Sequence, residues 1–167
     1  MEQTTKCHTE IIERVNKISQ ETGKEYMIIS RGDSTLRGHY PLETELLRKG
    51  FEADGKKHID GEIICPFFKE GGRFTIDNVH YVKTGDELVP AGQTEFAKDK
   101  TFGYASSNLC EYIEEKTQGK YKAQDVTIIS LDELRNVKID EVTEKLLKVN
   151  NFKKIVVNAI DYCDLKV

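Results

Sequence analysis

Apolar residues fall into two spacings along the chain, and the spacing predicts the elements. Ile11, Ile12, Val15 and Ile18 recur every three or four residues between about positions 6 and 22, the stripe of an amphipathic helix. Gly23 then supplies a residue that tolerates the left-handed conformation of a helix end. Residues 26–30 form a short continuous apolar run, as expected of a strand covered on both faces. Pro41 stands where a helix can begin, and Leu42, Leu46 and Leu47 give that helix its apolar side. Ile63, Ile64 and Cys65, closed by Pro66, read as a second buried strand. Strand, loop, helix and strand in that order describe a βαβ unit.

The middle of the chain has another rhythm. Residues 73–76 and 79–82 flank Asp77-Asn78, which predicts a β-hairpin. The polar, glycine-containing stretch 83–104, with Pro90, predicts an irregular excursion outside the core. Leu109, Cys110 and Ile113 predict a helix from Ser106 to about 117, and residues 126–129 a third strand. Asp132 or Asp140 is placed to cap helical turns, and Val142, Leu146 and Leu147 to form the next apolar face. Residues 155–157 read as a fourth strand. The expected fold class is therefore α/β: a mostly parallel sheet flanked by helices, with a β-hairpin excursion around residues 70–104. One domain is expected over residues 1–167.

Composition narrows the functions. The chain has 167 residues, enough for one domain, and its 38% apolar content suffices for a core. No apolar stretch reaches the roughly 18 residues of a membrane-spanning helix, so no membrane partner is expected. A net charge of −4 argues against a basic nucleic-acid binder, while leaving room for a local basic pocket. Met1–His8 contains no apolar secretory segment. Cys7, Cys65, Cys110 and Cys163 are far apart and form no C-x-x-C pair, the pattern of reduced thiols in a cytoplasmic protein. His8, His39, His58 and His80 lack metal-ligand spacing, so no metal site is expected in this chain.

Candidate chemistry is concentrated after the first predicted strand, in Ser30-Arg31-Gly32-Asp33-Ser34-Thr35-Leu36-Arg37-Gly38-His39. Ligands of parallel sheets bind outside the carboxyl ends of strands, which is where this loop falls. An arginine grips a carboxylate or phosphate through two parallel hydrogen bonds. An aspartate accepts hydrogen bonds from hydroxyls or acts as a base. The loop is thus a seat for a small polyhydroxylated anion, although Asp, Ser and Thr are also ordinary turn and capping residues. A second loop, residues 65–73, brings Gly71, Gly72 and Arg73 after the next strand, either as an anion-binding turn or as the entry to the hairpin. Neither G-x-x-x-x-G-K-[ST] nor G-x-G-x-x-G occurs, so no nucleotide-binding loop is recognisable.

The string Ser30-Arg-Gly-Asp-Ser-Thr-Leu-Arg-Gly-His-Tyr-Pro-Leu-Glu43 resembles the signature of the four-carbon acid sugar kinases, and specifically their sugar-binding N-terminal domain. The resemblance continues through Cys65-Pro66-Phe67, Glu70-Gly-Gly-Arg73, Asn78-Val-His-Tyr-Val82, Phe102-Gly-Tyr104, Ser106-Ser-Asn108 and Val156-Val-Asn-Ala159. It covers nearly the whole chain. Members of that family are two-domain enzymes that phosphorylate threonate, erythronate or related oxo-acids with ATP and magnesium. The resemblance implies substrate-binding roles for Asp33, Ser34, Arg37 and Gly38, with Arg73 as a further member. Arg37, with Arg31 or Arg73, would hold the substrate carboxylate. Asp33 would bind hydroxyls and is the candidate catalytic base, and Ser34 and the backbone near Gly38 would complete the cradle.

The chain also departs from the family pattern. The Asp-Asp-x-Thr-Gly-Ala motif of the family's first strand does not occur in it, nor does a nucleotide-binding domain. It reads as an internal, incomplete part of the acid-sugar-binding domain. ATP and magnesium are therefore expected on a nucleotide-binding domain in the same or a neighbouring chain, and this chain alone is expected to be inactive as a kinase. Two other classes stay open: a non-catalytic acid-sugar-binding protein, or an inactive remnant of a kinase gene. An exposed sheet edge leads to the expectation of a homodimer. Asp161 and Asp164, after the last strand, are either hydroxyl or magnesium ligands or a solvated chain end. Tyr81, Phe96 and Tyr104 either flank a sugar or pack the excursion.

Overall fold

The computed structural model describes residues 1–53, 55 and 57–167, which divide into two compact units. The first comprises residues 1–32 and 39–59. Its helix α1 (Glu2–Thr22) ends, as predicted, on Gly23 in the left-handed conformation, φ 65°. Helix α2 (Leu42–Phe51) starts directly after Pro41. The two pack closely where α2 carries Gly50, because a side chain there would overlap Ile12, the one fully buried residue of α1. Asn16 donates from Nδ2 to the Gly50 carbonyl at 2.8 Å and accepts a hydrogen bond from the Tyr26 hydroxyl. Tyr26 in turn meets Phe51 edge-on, with centroids 5.4 Å apart. Of the predicted apolar stripe, Ile11 and Ile18 are exposed.

Residues 26–30 do not form a strand among the described residues, contrary to the sequence expectation. Tyr26 and Ile28 are half-buried, whereas Met27 and Ile29 are exposed. The alternation is that of an extended segment. A strand also needs a neighbour to complete its hydrogen-bond ladder, and among the described residues no ladder partner is present.

The second unit comprises residues 33–38 and 60–167. Its elements run β1 (Gly61–Ile64), β2 (Arg73–Ile76), β3 (Val79–Thr84), β4 (Glu87–Pro90), α3 (Leu109–Lys116), β5 (Thr127–Ile129), α4 (Leu131–Arg135), α5 (Ile139–Leu147) and β6 (Lys153–Val157). Strands β1, β6 and β5 form a parallel sheet in that order, with Ile63 opposite Ile155 and Ile129 opposite Val157. Ile129, Leu134, Val149 and Ile155 make its core, with Val142 and Val157 packed against them. Helices flank this sheet, so the expected α/β class and parallel order are observed.

The predicted hairpin is β2–β3, turned at Asp77 and Asn78, both at positive φ. It belongs to a three-stranded antiparallel sheet. Residues 87–90, expected to be irregular, pair with β3, and Ala91, Ala97 and Tyr104 beyond them are buried. The excursion therefore has a core of its own, built from residues too small or too widely spaced to show a period. Thr75 and Ala159 exchange backbone hydrogen bonds of 3.0 and 3.1 Å and tie the two sheets together. Buried Asn158 supports the join by donating to the Ile129 carbonyl and accepting from the Asn78 N–H.

Helix starts differ from prediction. Ser130, not Asp132, caps α4 through a capping box with Glu133, and α5 begins after Lys138 without a side-chain cap. Asp132 and Asp140 lie inside the first turns, where a carboxylate still favours the helix dipole. Leu146 and Leu147 are exposed, and Val142 alone of that predicted face reaches the core.

Candidate functional site

The segment 33–38 belongs to the second unit, although the residues on either side of it belong to the first. Its backbone makes a tight turn, with the Leu36 N–H donating to the Asp33 carbonyl at 2.9 Å and Leu36 at φ 65°. A branched side chain in that conformation is costly and must be held by its surroundings. Thr35 and Leu36 are buried and supply that hold.

Three consecutive carbonyls of the segment point into the unit, and each accepts a hydrogen bond from a buried side chain. His80 donates from Nε2 to the Ser34 oxygen at 2.8 Å, Tyr104 to that of Thr35 at 2.7 Å, and Tyr112 to that of Leu36 at 3.0 Å. A carbonyl only accepts, so Nε2 of His80 carries the ring proton and Nδ1 accepts from the Thr75 hydroxyl at 3.0 Å. Burial drives the His80 pKa down to about 4, helped by the field of Arg73, so the ring is neutral at physiological pH. Burial likewise pushes Tyr104 up to about 12 and keeps its hydroxyl a donor. The two tyrosine rings pack edge to face, 5.5 Å between centroids.

On the other side of the turn lies the charge. Asp33 Oδ1 accepts from the Thr35 N–H at 2.9 Å, and Oδ2 from the Thr35 hydroxyl at 2.8 Å. Arg37 donates from Nε and Nη2 to Asp33 Oδ2, both at 2.6 Å. Burial alone would raise the Asp33 pKa. The bonds from Thr35 and Arg37 outweigh it and hold the carboxyl below the ordinary carboxylate range.

Arg37 does not stand alone. Its guanidinium lies over the Phe96 ring at 5.0 Å, and that of Arg73 lies over the same ring at 5.7 Å. Arg73 donates from one terminal nitrogen to the Gly71 carbonyl. Its Nε is buried without an acceptor, and no carboxylate pairs with it among the described residues. The arrangement is two cations on one aromatic platform, with one carboxylate already committed to Arg37. Guanidiniums so placed offer N–H donors of the kind that suit an anion.

The structure thus brings Asp33, Ser34, Arg37, Gly38 and Arg73 into one unit, with Gly38 directly beside Arg37 at the end of the segment. Arg31 is exposed and belongs to the first unit. Phe96 and Tyr104 turn out to serve as platform and clamp. Tyr112 carried no motif in the sequence, and His80 stood only within the family string of residues 78–82. One signal for His80 was available: it occupies the inward register of β3, with Val82, where an apolar residue is the rule.

Asp161 and Asp164 are engaged elsewhere. Asp161 pairs with Lys69, and fully buried Asp164 pairs with Arg135 at 3.0 Å while accepting the N–H groups of Ile160 and Asp161. Among the described residues no three His, Cys, Asp or Glu side chains gather as metal ligands do, and no helix is long and apolar enough to cross a membrane.

Comparison with known proteins bears on the whole chain. The chain superposes on a crystallised Haemophilus influenzae protein of the DUF1537 family with a TM-score of 0.67 at 19% identity, over 95% of this chain and 36% of that one. A Salmonella typhimurium LT2 protein provisionally named a tRNA synthase gives a TM-score of 0.60 at 14% identity, over 81% and 30% respectively. At these identities the likeness is one of fold. The chain spans about a third of the length of either structure. No curated protein matches it. The family described as sugar-binding N-terminal domain matches residues 2–167. The chain is a member of that sugar-binding N-terminal domain family, the one its residue 30–43 signature resembles.

Proposed function

We propose that this chain is the substrate-binding portion of an ATP-dependent kinase for four-carbon acid sugars of the threonate and erythronate type. The observation that carries the proposal is the pair of guanidiniums of Arg37 and Arg73 on the Phe96 ring, with no carboxylate paired to Arg73 among the described residues. Family membership supplies the sugar, and the paired guanidiniums supply the reason for an acid. Arg73 receives the carboxylate. Arg37 is held in place by Asp33 and directs its remaining N–H groups to the same anion. Asp33, ionised and anchored, is a weak base but a strong acceptor for sugar hydroxyls, and Ser34 offers a hydroxyl beside it.

ATP and magnesium belong, in this proposal, to a nucleotide-binding domain in the same or a neighbouring chain. Phosphoryl transfer requires the nucleotide in line with the attacking hydroxyl, so the role of this unit is to fix the acid and thereby orient that hydroxyl.

Titration calorimetry of the full chain with threonate and with neutral threitol tests the proposal. Saturable binding of threonate, much weaker binding of threitol, and a loss of roughly 10–100-fold in threonate affinity in Arg73→Leu are expected. Equal affinity for the two ligands, or no threonate binding by the wild type, would overturn it.

A further inference from the structure

The clamp on residues 34–36 does more than stiffen the turn. A trans peptide is planar, so its N–H points opposite to its C=O. Turning the carbonyls of Ser34, Thr35 and Leu36 inward therefore turns the N–H groups of Thr35, Leu36 and Arg37 away from the clamp. Two of these are used within the turn: Thr35 N–H donates to the Asp33 carboxylate and Leu36 N–H to the Asp33 carbonyl. The third, the N–H of Arg37, has no acceptor among the described residues. The peptide that carries it is the one whose carbonyl Tyr112 holds at 3.0 Å.

We infer that Tyr112 is a positioning residue for the anion site. Its hydroxyl fixes the Leu36–Arg37 peptide so that the Arg37 N–H joins the Arg37 and Arg73 guanidiniums as a third donor to the acid end of the ligand. The inference rests on the acid-sugar proposal above and assigns to that site a backbone donor and the side chain that aims it. Tyr112 does not touch the ligand. A preset donor costs no reorganisation when the anion arrives, which is the advantage of anchoring it from behind. Tyr104 makes the contrast. It holds the Thr35 carbonyl, whose partner N–H remains committed to Asp33.

The experiment compares Tyr112→Phe with Tyr104→Phe in the full chain. Each change deletes one buried hydroxyl from the same edge-to-face pair, so similar losses of thermal midpoint are expected. Threonate affinity should fall about tenfold in Tyr112→Phe and distinctly less in Tyr104→Phe, while threitol affinity stays close to wild type in both. A ligand-free readout accompanies it: the Arg37 amide resonance and its hydrogen-exchange rate should change in Tyr112→Phe. Equal affinity losses in the two variants, or an unchanged Arg37 amide in Tyr112→Phe, would overturn the inference while leaving the acid-sugar proposal standing. Failure of the wild type to bind threonate would overturn both.

Discussion

Acid should destabilise the fold through His80, whose ring the native state keeps neutral well below its ordinary pKa. The neutral ring is fully buried between the Ser34 carbonyl and the Thr75 hydroxyl, with the Arg73 cation as a further obstacle to its protonation. In the unfolded chain the imidazole protonates near its ordinary pKa of 6.5, and in the folded protein only near about 4. Between those values the unfolded state binds the proton and the native state does not. The His80 contribution is therefore whole above pH 6.5 and is lost progressively as the pH falls toward 4. At about 1.4 kcal/mol per pH unit, the full loss is roughly 3 kcal/mol. Urea denaturation at intervals from pH 7 to 4.5 measures it. His80→Gln, whose amide still donates to Ser34 and accepts from Thr75, should show a flatter profile over the same interval than the wild type. Carbon-detected titration of the ring checks the cause. A His80 pKa near 6.5, or parallel profiles for the two proteins, would refute the linkage.

Three further outcomes follow from contacts already described. Phe96→Leu removes the ring shared by Arg37 and Arg73 and should weaken threonate binding several-fold by calorimetry, since each cation–π contact is worth about 0.5–1 kcal/mol. Asp164→Asn removes the charge that Arg135 pairs with, and because the Ile160 and Asp161 N–H groups share Oδ2, keeping them turns the new amide NH2 toward Arg135; stability should fall by about 2–3 kcal/mol in urea. Gly92→Ala places a methyl against the Ala105 carbonyl oxygen and should cost about 1–3 kcal/mol, read as a lowered thermal midpoint, because backbone there cannot give way as a side chain would.

The parts of this fold that were legible in the sequence are those with a local cause. Gly23 ends α1 because it accepts φ 65°, and Asp77-Asn78 turns the hairpin because both residues tolerate positive φ. The loop 33–38 was legible as a candidate site because its charged and hydroxylated residues are dense and contiguous. What was not legible depends on partners distant in the chain. Residues 26–30 have the composition of a strand and lack a ladder neighbour among the described residues. Strand β4 has only four residues, exposes Leu88 beside Glu87, and is recruited by β3 through backbone bonds that carry no sequence signal. Arg73 looked secondary in a glycine turn. It becomes prominent because Phe96, 23 positions later, carries Arg37 on the same ring. Tyr112 sits on a helix as an ordinary buried aromatic, and only its hydroxyl on Leu36, 76 positions away, gives it a role.

In the proposed function an acid sugar docks at Arg73 and Arg37 over Phe96. Amide and arginine Nε chemical-shift mapping of the labelled chain with threonate tests it most directly. Saturable shifts are expected at the amides of Arg37, Gly38 and Arg73 and at the two arginine Nε groups, absent when threitol replaces threonate. Shifts confined to another basic surface, such as the lysine-lined cavity of about 150 Å³ around Lys120, Lys122 and Lys153, would contradict it.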